Sequence, residues 1–162
     1  MATQKNLPTR MSAAEYRAFL LKQQQERPAK HHNHHVYIFS DGFVSNDKGD
    51  AVKHGNIIDH FDSEKEYLRW GQLRLLEKAG RISDLKKQVP LLVHEEFIDA
   101  QGKKHRATFY NADFTYVENG TEIVEDVKGL DKATGKYLTT QVFNLKWKLL
   151  QARYPEKTFR LY

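Results

Sequence analysis

The chain has 162 residues, enough for one well-buried domain and too few for two ordinary ones. Its content of 40% hydrophobic and 12% aromatic residues suits a globular fold rather than a disordered segment, and the absence of cysteine excludes a disulfide framework, cysteine-based metal sites and thiol catalysis, in keeping with a reducing compartment. A net charge of +5 favours a polyanionic partner; the apolar runs are too short to span a membrane and no signal-peptide pattern is present, so a cytoplasmic protein without membrane association is expected.

Residues 1–30 read as a peripheral arm. Ser12 followed by Glu15 makes a capping box with Met11 before it, and Tyr16, Phe19, Leu20 and Gln23 mark one stripe of a short helix that ends before Pro28. Next comes His31-His-Asn-His-His35. Four histidines in five residues invite a zinc reading, but the spacing matches no zinc module, and such runs more often lie on a flexible surface. Val36-Tyr-Ile-Phe39 is strand-like, and the turn chemistry of Asp41-Gly42 and Asn46-Asp-Lys-Gly49 predicts irregular chain or short edge strands up to His60. The expected division is an arm over 1–35 and a domain over 36–162.

Residues 62–80 predict a helix with Ser63 at the N-cap, Glu66 completing a second capping box and Gly80 just past the end. Leu68, Gly71, Leu75 and Ala79 follow one face, and Tyr67, Trp70 and Leu73 widen it, which predicts a substantially buried helix. Glu66 has two readings: a carboxylate that reaches back to the Ser63 backbone, or an acid supplied by the first turn of a buried helix. Glu64 is a weaker competitor for the second role. Gln88 to Ile98 then reads as a strand, Asp99 to Lys103 as a turn, and Lys104 to Tyr110 as a returning strand. Gln88, polar at the start of an apolar strand, is more often a satisfied hydrogen-bonding residue than a ligand-binding one.

Residues 111–129 carry the clearest local signal. Two runs rich in Phe, Tyr, Thr, Val and Ile meet at Asn119-Gly120, the strongest short-range mark of a two-residue type I′ hairpin turn, because both central residues need positive φ. In that register Glu118 pairs with Thr121, and counting back sets Asp113 directly across from Asp126, with Cβ atoms ~5 Å apart on one face. Lys128 points to the same face, two residues beyond Asp126. Opposed carboxylates repel and push one towards staying protonated. They are either solvated acids on an exposed hairpin or the holders of a divalent cation such as Mg2+, which is commonly bound by one or two carboxylates. Beyond a lysine-bearing loop over 129–135, a second long helix is predicted from Thr139 or Thr140 to Tyr154, its stripe of Phe143, Trp147, Leu150 and Tyr154 widened by Val142, Leu145 and Leu149. Pro155 stops it, and residues 157–162 alternate like a last strand.

A helix bearing Glu66, a meander with Asp113, the tripeptide Asp126-Val127-Lys128 on its third strand, then a helix and a strand, resembles the core of the PD-(D/E)xK nuclease superfamily. More narrowly, Phe61-Asp-Ser-Glu-Lys-Glu66, Tyr110-Asn-Ala-Asp-Phe114 and Glu125-Asp-Val-Lys-Gly129 are similar to a small phage-borne endonuclease branch, which also carries a glutamine where Gln88 stands. The likeness covers residues 61–162. One departure is Ala112, where the motif has proline. Glu125 is a rival to Asp126, but only Asp126 has a lysine two residues on along its own face.

The resemblance implies a restriction-endonuclease-like α/β fold, with an αβββαβ core, a mixed central sheet flanked by helices and an N-terminal helical arm. It implies a Mg2+-dependent DNA endonuclease of a bacterial or phage-infected cell, with Mn2+ able to substitute. Asp113, Asp126 and the Val127 carbonyl would hold the metal, Glu66 would complete the site, and Lys128 would orient the attacking water and stabilise charge at the phosphate. Lys103, Lys104, Arg106, Lys132, Lys136 and Lys146 would contact the phosphate backbone of DNA. Cutting two strands needs two sites, which makes a homodimer one expected arrangement. The alternative is a non-catalytic nucleic-acid-binding or assembly protein that keeps the nuclease fold, and a third reading is an RNA target.

Overall fold

The structure, a computed structural model, describes residues 34–162. The predicted arm helix and His31, His32 and Asn33 of the histidine run lie outside the described residues. The chain divides between His34 and His35, and its second unit runs from His35 to Tyr162.

That unit opens with a small sheet. Strand β1 (Val36–Phe39) pairs antiparallel with β2 (Val44–Ser45) on one side and β3 (Ile57–Phe61) on the other. Asp41 makes the first turn by accepting the Phe43 N–H at 2.9 Å. A 3-10 turn at Lys48–Asp50 runs into the short helix α1 (Ala51–His54). The expectation of short edge strands therefore holds for β2 and β3, while α1 carries no periodic signal long enough to be seen.

Helix α2 (Glu64–Lys78) begins where its sequence says it should. Ser63 Oγ accepts the Glu66 N–H, one of the donors left free by the first helical turn. Gly80 follows with φ 67°, the left-handed conformation that suits glycine past a helix end. The predicted buried face needs correction. Leu68 and Leu75 are exposed, whereas Glu66 and Leu73 are buried, with Tyr67 and Trp70 beside them. The helix covers only one side of a sheet, so a single narrow stripe goes inward and Leu68, Leu75 and Leu76 remain in water.

The main sheet has the order β4-β7-β8-β9. Strands β4 (Ser83–His94), β7 (Thr108–Glu118) and β8 (Thr121–Asp126) are antiparallel neighbours, and β9 (Thr158–Leu161) runs parallel to β8. Such a parallel pair needs a crossover, supplied by helix α3 (Gln141–Arg153) with Thr140 at its N-cap. From α2 onward the main sheet and its helices follow the order α-β-β-β-α-β, with a separate two-stranded ribbon inserted after the first of these strands, a mixed α/β arrangement. Two strand boundaries differ from expectation. β4 starts at Ser83 rather than Gln88, and the segment between β4 and β7 forms its own ribbon, β5 (Phe97–Ile98) with β6 (Lys104–His105).

Two apolar clusters fill the layers. Leu73, Phe114, Tyr116, Ile123 and Val127 lie on the α2 side, and Leu91, Ala112, Val124, Phe143, Trp147 and Leu150 on the α3 side. The stripe predicted for α3 is buried at Phe143, Trp147 and Leu150, but Val142, Leu145 and Leu149 are exposed for the same reason as the outer leucines of α2. No helix among the described residues is long and apolar enough to cross a membrane.

A polar chain runs through the α2 side. Arg69 donates two hydrogen bonds to Glu125, at 2.6 and 2.8 Å, in the fork geometry that suits a carboxylate. Tyr116 donates to Glu125 at 2.8 Å, and Arg160 reaches Glu118 at 2.6 Å. Burial, then the bond to Glu125, pushes the Tyr116 phenol up to about 12, so it stays a donor. Glu125 is only 1% exposed. Removing its cationic partner strands a buried charge: Arg69→Met is expected to cost about 3–5 kcal/mol in urea unfolding.

Candidate active site

The hairpin forms as its turn dictates. Asn119 and Gly120 have φ 50° and 79°, and the ladder runs from Glu118↔Thr121 to Phe114↔Glu125. One step further brings Asp113 beside Asp126, and there the regular pairing gives way. Asp113 Oδ2 accepts the Val127 N–H at 2.7 Å, so a side chain takes the place of the next backbone acceptor.

The cause is a rotation of two strands. Along a regular strand, residues two apart share a face. On β7, Tyr110 and Ala112 pack on the α3 side, but Phe114 and Tyr116 pack on the α2 side. On β4, the Lys87 ammonium lies over the rings of Phe61 and Trp70, while Val89 packs on the α3 side. The switch falls at Gln88 and Asp113, between the pairs Lys87↔Phe114 and Val89↔Ala112. Gln88 has φ 52°, a left-handed value uncommon for a residue with a side chain. Asp113 therefore stands where the two faces of the sheet meet, rather than facing Asp126 squarely on one of them.

Around that point the charged groups gather. Asp126, 1% exposed, accepts the Lys128 ammonium on Oδ2 and the Tyr110 hydroxyl on Oδ1. Glu66, in the first turn of α2 and 8% exposed, accepts the Ser63 hydroxyl at 3.0 Å. Burial pushes the Glu66 carboxyl up, Asp62 and Asp126 add like-charge repulsion, and the Ser63 bond opposes them. Burial also pushes Asp113 up to about 7, followed by the charge of Asp126 and, more weakly, that of Glu66. Ser63 caps the Glu66 backbone through its Oγ and donates its hydroxyl to the Glu66 carboxyl, and the charge of that carboxyl is felt at Asp113.

The rivals separate cleanly. Glu125 points to the α2 side and is saturated by Arg69 and Tyr116. Glu64 is exposed. Gln88 is exposed and lines a cleft of about 240 Å³ with Asp59, His60, Asp62 and Lys87. The basic residues fall on separate elements. Lys103, Lys104 and Arg106 are exposed at and beside the β5–β6 ribbon, with Lys104 paired to Glu96 at 3.0 Å. Lys132 and Lys136 are exposed in the loop after Lys128, and Lys146 on α3 reaches the Phe109 carbonyl at 3.5 Å.

Two residues near the cluster lie inside the motif stretches 61–66 and 110–114, but their residue types alone assign them no role. Lys65 donates to the backbone carbonyls of Lys128 and Tyr162 at 2.7 and 2.8 Å, tying α2 to the ends of β8 and β9. Tyr110, three positions before Asp113, belongs by strict alternation to the other face; the rotation at Asp113 brings it to Asp126. Its phenol is pushed far above the usual value, by burial first and then by Asp126, so it stays protonated and donating.

Three carboxyls facing one ammonium leave the cluster short of positive charge. Their oxygens are hard donors of the kind Mg2+ and Mn2+ take. Among the described residues, no three His, Cys, Asp or Glu side chains stand at metal-ligating spacing; the acids are turned to Val127, Tyr110, Lys128 and Ser63. The donor set fits a hard divalent cation in its chemistry, and ligation would require these side chains to give up part of that hydrogen bonding.

Fold and site together define a mixed α/β protein with a partly neutralised acid–lysine cluster at the end of a β-hairpin. Residues 45–161 match the family described as Protein of unknown function (DUF1064), and the chain belongs to that family. No curated protein matches it.

The raised Asp113 carboxyl has a definite sign in stability. The unfolded chain releases this proton near the ordinary value of 3.8 and the folded chain only near 7. Folding is therefore favoured as pH falls from above 7 towards 4, and loses that support as pH rises through 7. Asp113→Asn is expected to raise the thermal midpoint at pH 8 by roughly 4 °C or more and to change it little at pH 4, as followed by circular dichroism.

Proposed function

We propose that the protein is a Mg2+-dependent DNA endonuclease of the PD-(D/E)xK type, with a restriction-endonuclease-like core, acting in the cytoplasm of a bacterial or phage-infected cell. The observation that carries the reading is the group of Asp113, Asp126 and Lys128 at the end of the β7–β8 hairpin, with Glu66 in the first turn of α2 near enough for its charge to be felt at Asp113. The order of elements from α2 to β9 supports it, as does the mixed sheet.

Phosphodiester hydrolysis needs a water placed in line with the leaving oxygen and positive charge where negative charge builds. Asp113, Asp126, the Val127 carbonyl and Glu66 are the residues that would hold Mg2+, or Mn2+ in its place. When bound, the metal supplies Lewis acidity and lowers the pKa of a coordinated water. Lys128 is held against Asp126, so its ammonium stands at the cluster and can turn a donor towards the water or a phosphate oxygen. Asp113 and Glu66 must be ionised for this work, and added positive charge favours that form. Lys132 and Lys136, on the loop that leaves Lys128, together with Lys103, Lys104, Arg106 and Lys146, are the candidates for sequence-independent contacts to the DNA backbone. Cleavage of both strands of a duplex, as in branched or replicating phage DNA, would call for a homodimer.

The second reading is a non-catalytic nucleic-acid-binding or assembly protein on the same scaffold. It is favoured by one observation: the acids of the cluster are engaged by internal donors and no metal-ligating trio stands among the described residues. Plasmid nicking with Mg2+ or Mn2+ against EDTA separates the two, and single- and double-stranded DNA and RNA run side by side rank the substrates. Asp126→Ala, Asp113→Ala and Lys128→Ala are each expected to abolish metal-dependent cleavage, by a factor of about a hundred or more, while the fold survives. Full activity in Asp126→Ala removes the endonuclease reading, and binding without cleavage under every condition favours the second.

A further inference from the structure

We propose that Tyr110 is a positioning residue for the acid cluster: its hydroxyl stays on Asp126 Oδ1 and holds the carboxylate in place while Oδ2 exchanges the Lys128 ammonium for a divalent cation. The inference rests on the endonuclease reading and extends it to a residue outside the acid–lysine motif. The geometry has two parts. Asp126 is buried and its two oxygens have different donors, the Tyr110 hydroxyl on Oδ1 and the Lys128 ammonium on Oδ2. A carboxylate held from both ends cannot rotate about its last bond. Tyr110 is itself held, with its ring centroid 6.0 Å from that of Phe143 and 5.9 Å from that of Trp147, the latter edge to face. The hydroxyl is thus delivered from the α3 side of the core, and α3 takes part in setting the site although it contributes no acid.

Take the hydroxyl away and the balance on Asp126 is lost. Oδ1 becomes a buried acceptor without a partner, and the carboxylate closes further on Lys128, its remaining donor. That ion pair then competes with a cation for the same oxygens. Partners that orient a ligating side chain typically contribute about ten- to hundredfold to metal affinity. The ring of Phe fills the same seat, so Tyr110→Phe removes the donor and leaves the packing against Phe143 and Trp147 in place.

The test is a Mn2+ titration of the full chain, reading free Mn2+ by electron paramagnetic resonance, on wild type, Asp126→Ala, Tyr110→Phe and Trp147→Phe. Trp147→Phe keeps the hydroxyl but loosens its seat. The expected result is saturable binding by wild type, none by Asp126→Ala, a loss of about tenfold or more in Tyr110→Phe with a native circular dichroism spectrum, and a smaller loss in Trp147→Phe. Wild-type affinity in Tyr110→Phe overturns the role of Tyr110 and leaves the cation site standing. Absence of Mn2+ binding by wild type overturns both, and the wild-type arm alone reveals which has failed.

Discussion

The acidic end of this molecule depends on one constraint, the joint rotation of β4 and β7 at Gln88 and Asp113. Without it, β7 would keep a single alternation, and Tyr110 and Ala112 could not pack on the α3 side while Phe114 packs against Trp70. The rotation places Asp113 at the seam between two cores, where its carboxylate substitutes for a backbone acceptor to Val127. A left-handed residue with a side chain costs on the order of 1 kcal/mol or more, and the surrounding ladder must hold Gln88 there. Strain of this kind belongs with the burial of carboxyls: each is unfavourable locally and both occur at the same place.

Neighbouring acids on β8 divide two tasks. Glu125 turns towards α2 and meets a guanidinium fork and a phenol, so its charge and its lone pairs are satisfied. Asp126 turns the other way and meets one ammonium and one hydroxyl, with two further acids close enough to raise each other's proton affinity. Both side chains are almost wholly buried. What separates them is neutralisation, complete for one and partial for the other, and partial neutralisation is the state from which a carboxylate can take a new partner.

Much of this is legible in the sequence, because the informative signals are local. Asn119-Gly120 announces its turn through the φ it needs, and Ser63 and Thr140 announce two helix starts through the N–H groups they satisfy. Register then follows by counting, which is how Asp113 comes to lie by Asp126 and how Glu125 is set apart. The remainder depends on tertiary context. The leucines of α2 and α3 read as inward stripes, but each helix covers one side of a four-stranded sheet, and Leu68, Leu75, Val142 and Leu145 stay in water. The ribbon at Phe97–His105 merges in the sequence with its neighbouring strands, since two-residue strands leave no periodicity to read. The contacts of Tyr110 and Lys65 are not legible in the sequence, because one depends on a broken alternation and the other reaches backbone carbonyls far along the chain.

The bend at Gln88 has a second consequence, concerning what the molecule avoids. β4 is the longest strand among the described residues and also a sheet edge, the kind of surface on which stray chains pair and aggregates begin. Asp84 and Gln88 both break its backbone direction, with φ of 54° and 52°, and Pro90 removes one of its N–H donors. Lys86 and Lys87 add charge between the breaks. No stretch of this edge is long, straight and fully equipped with donors, so it offers a poor template for another strand. The distortion that assembles the acid cluster thereby also guards the molecule against edge-to-edge association.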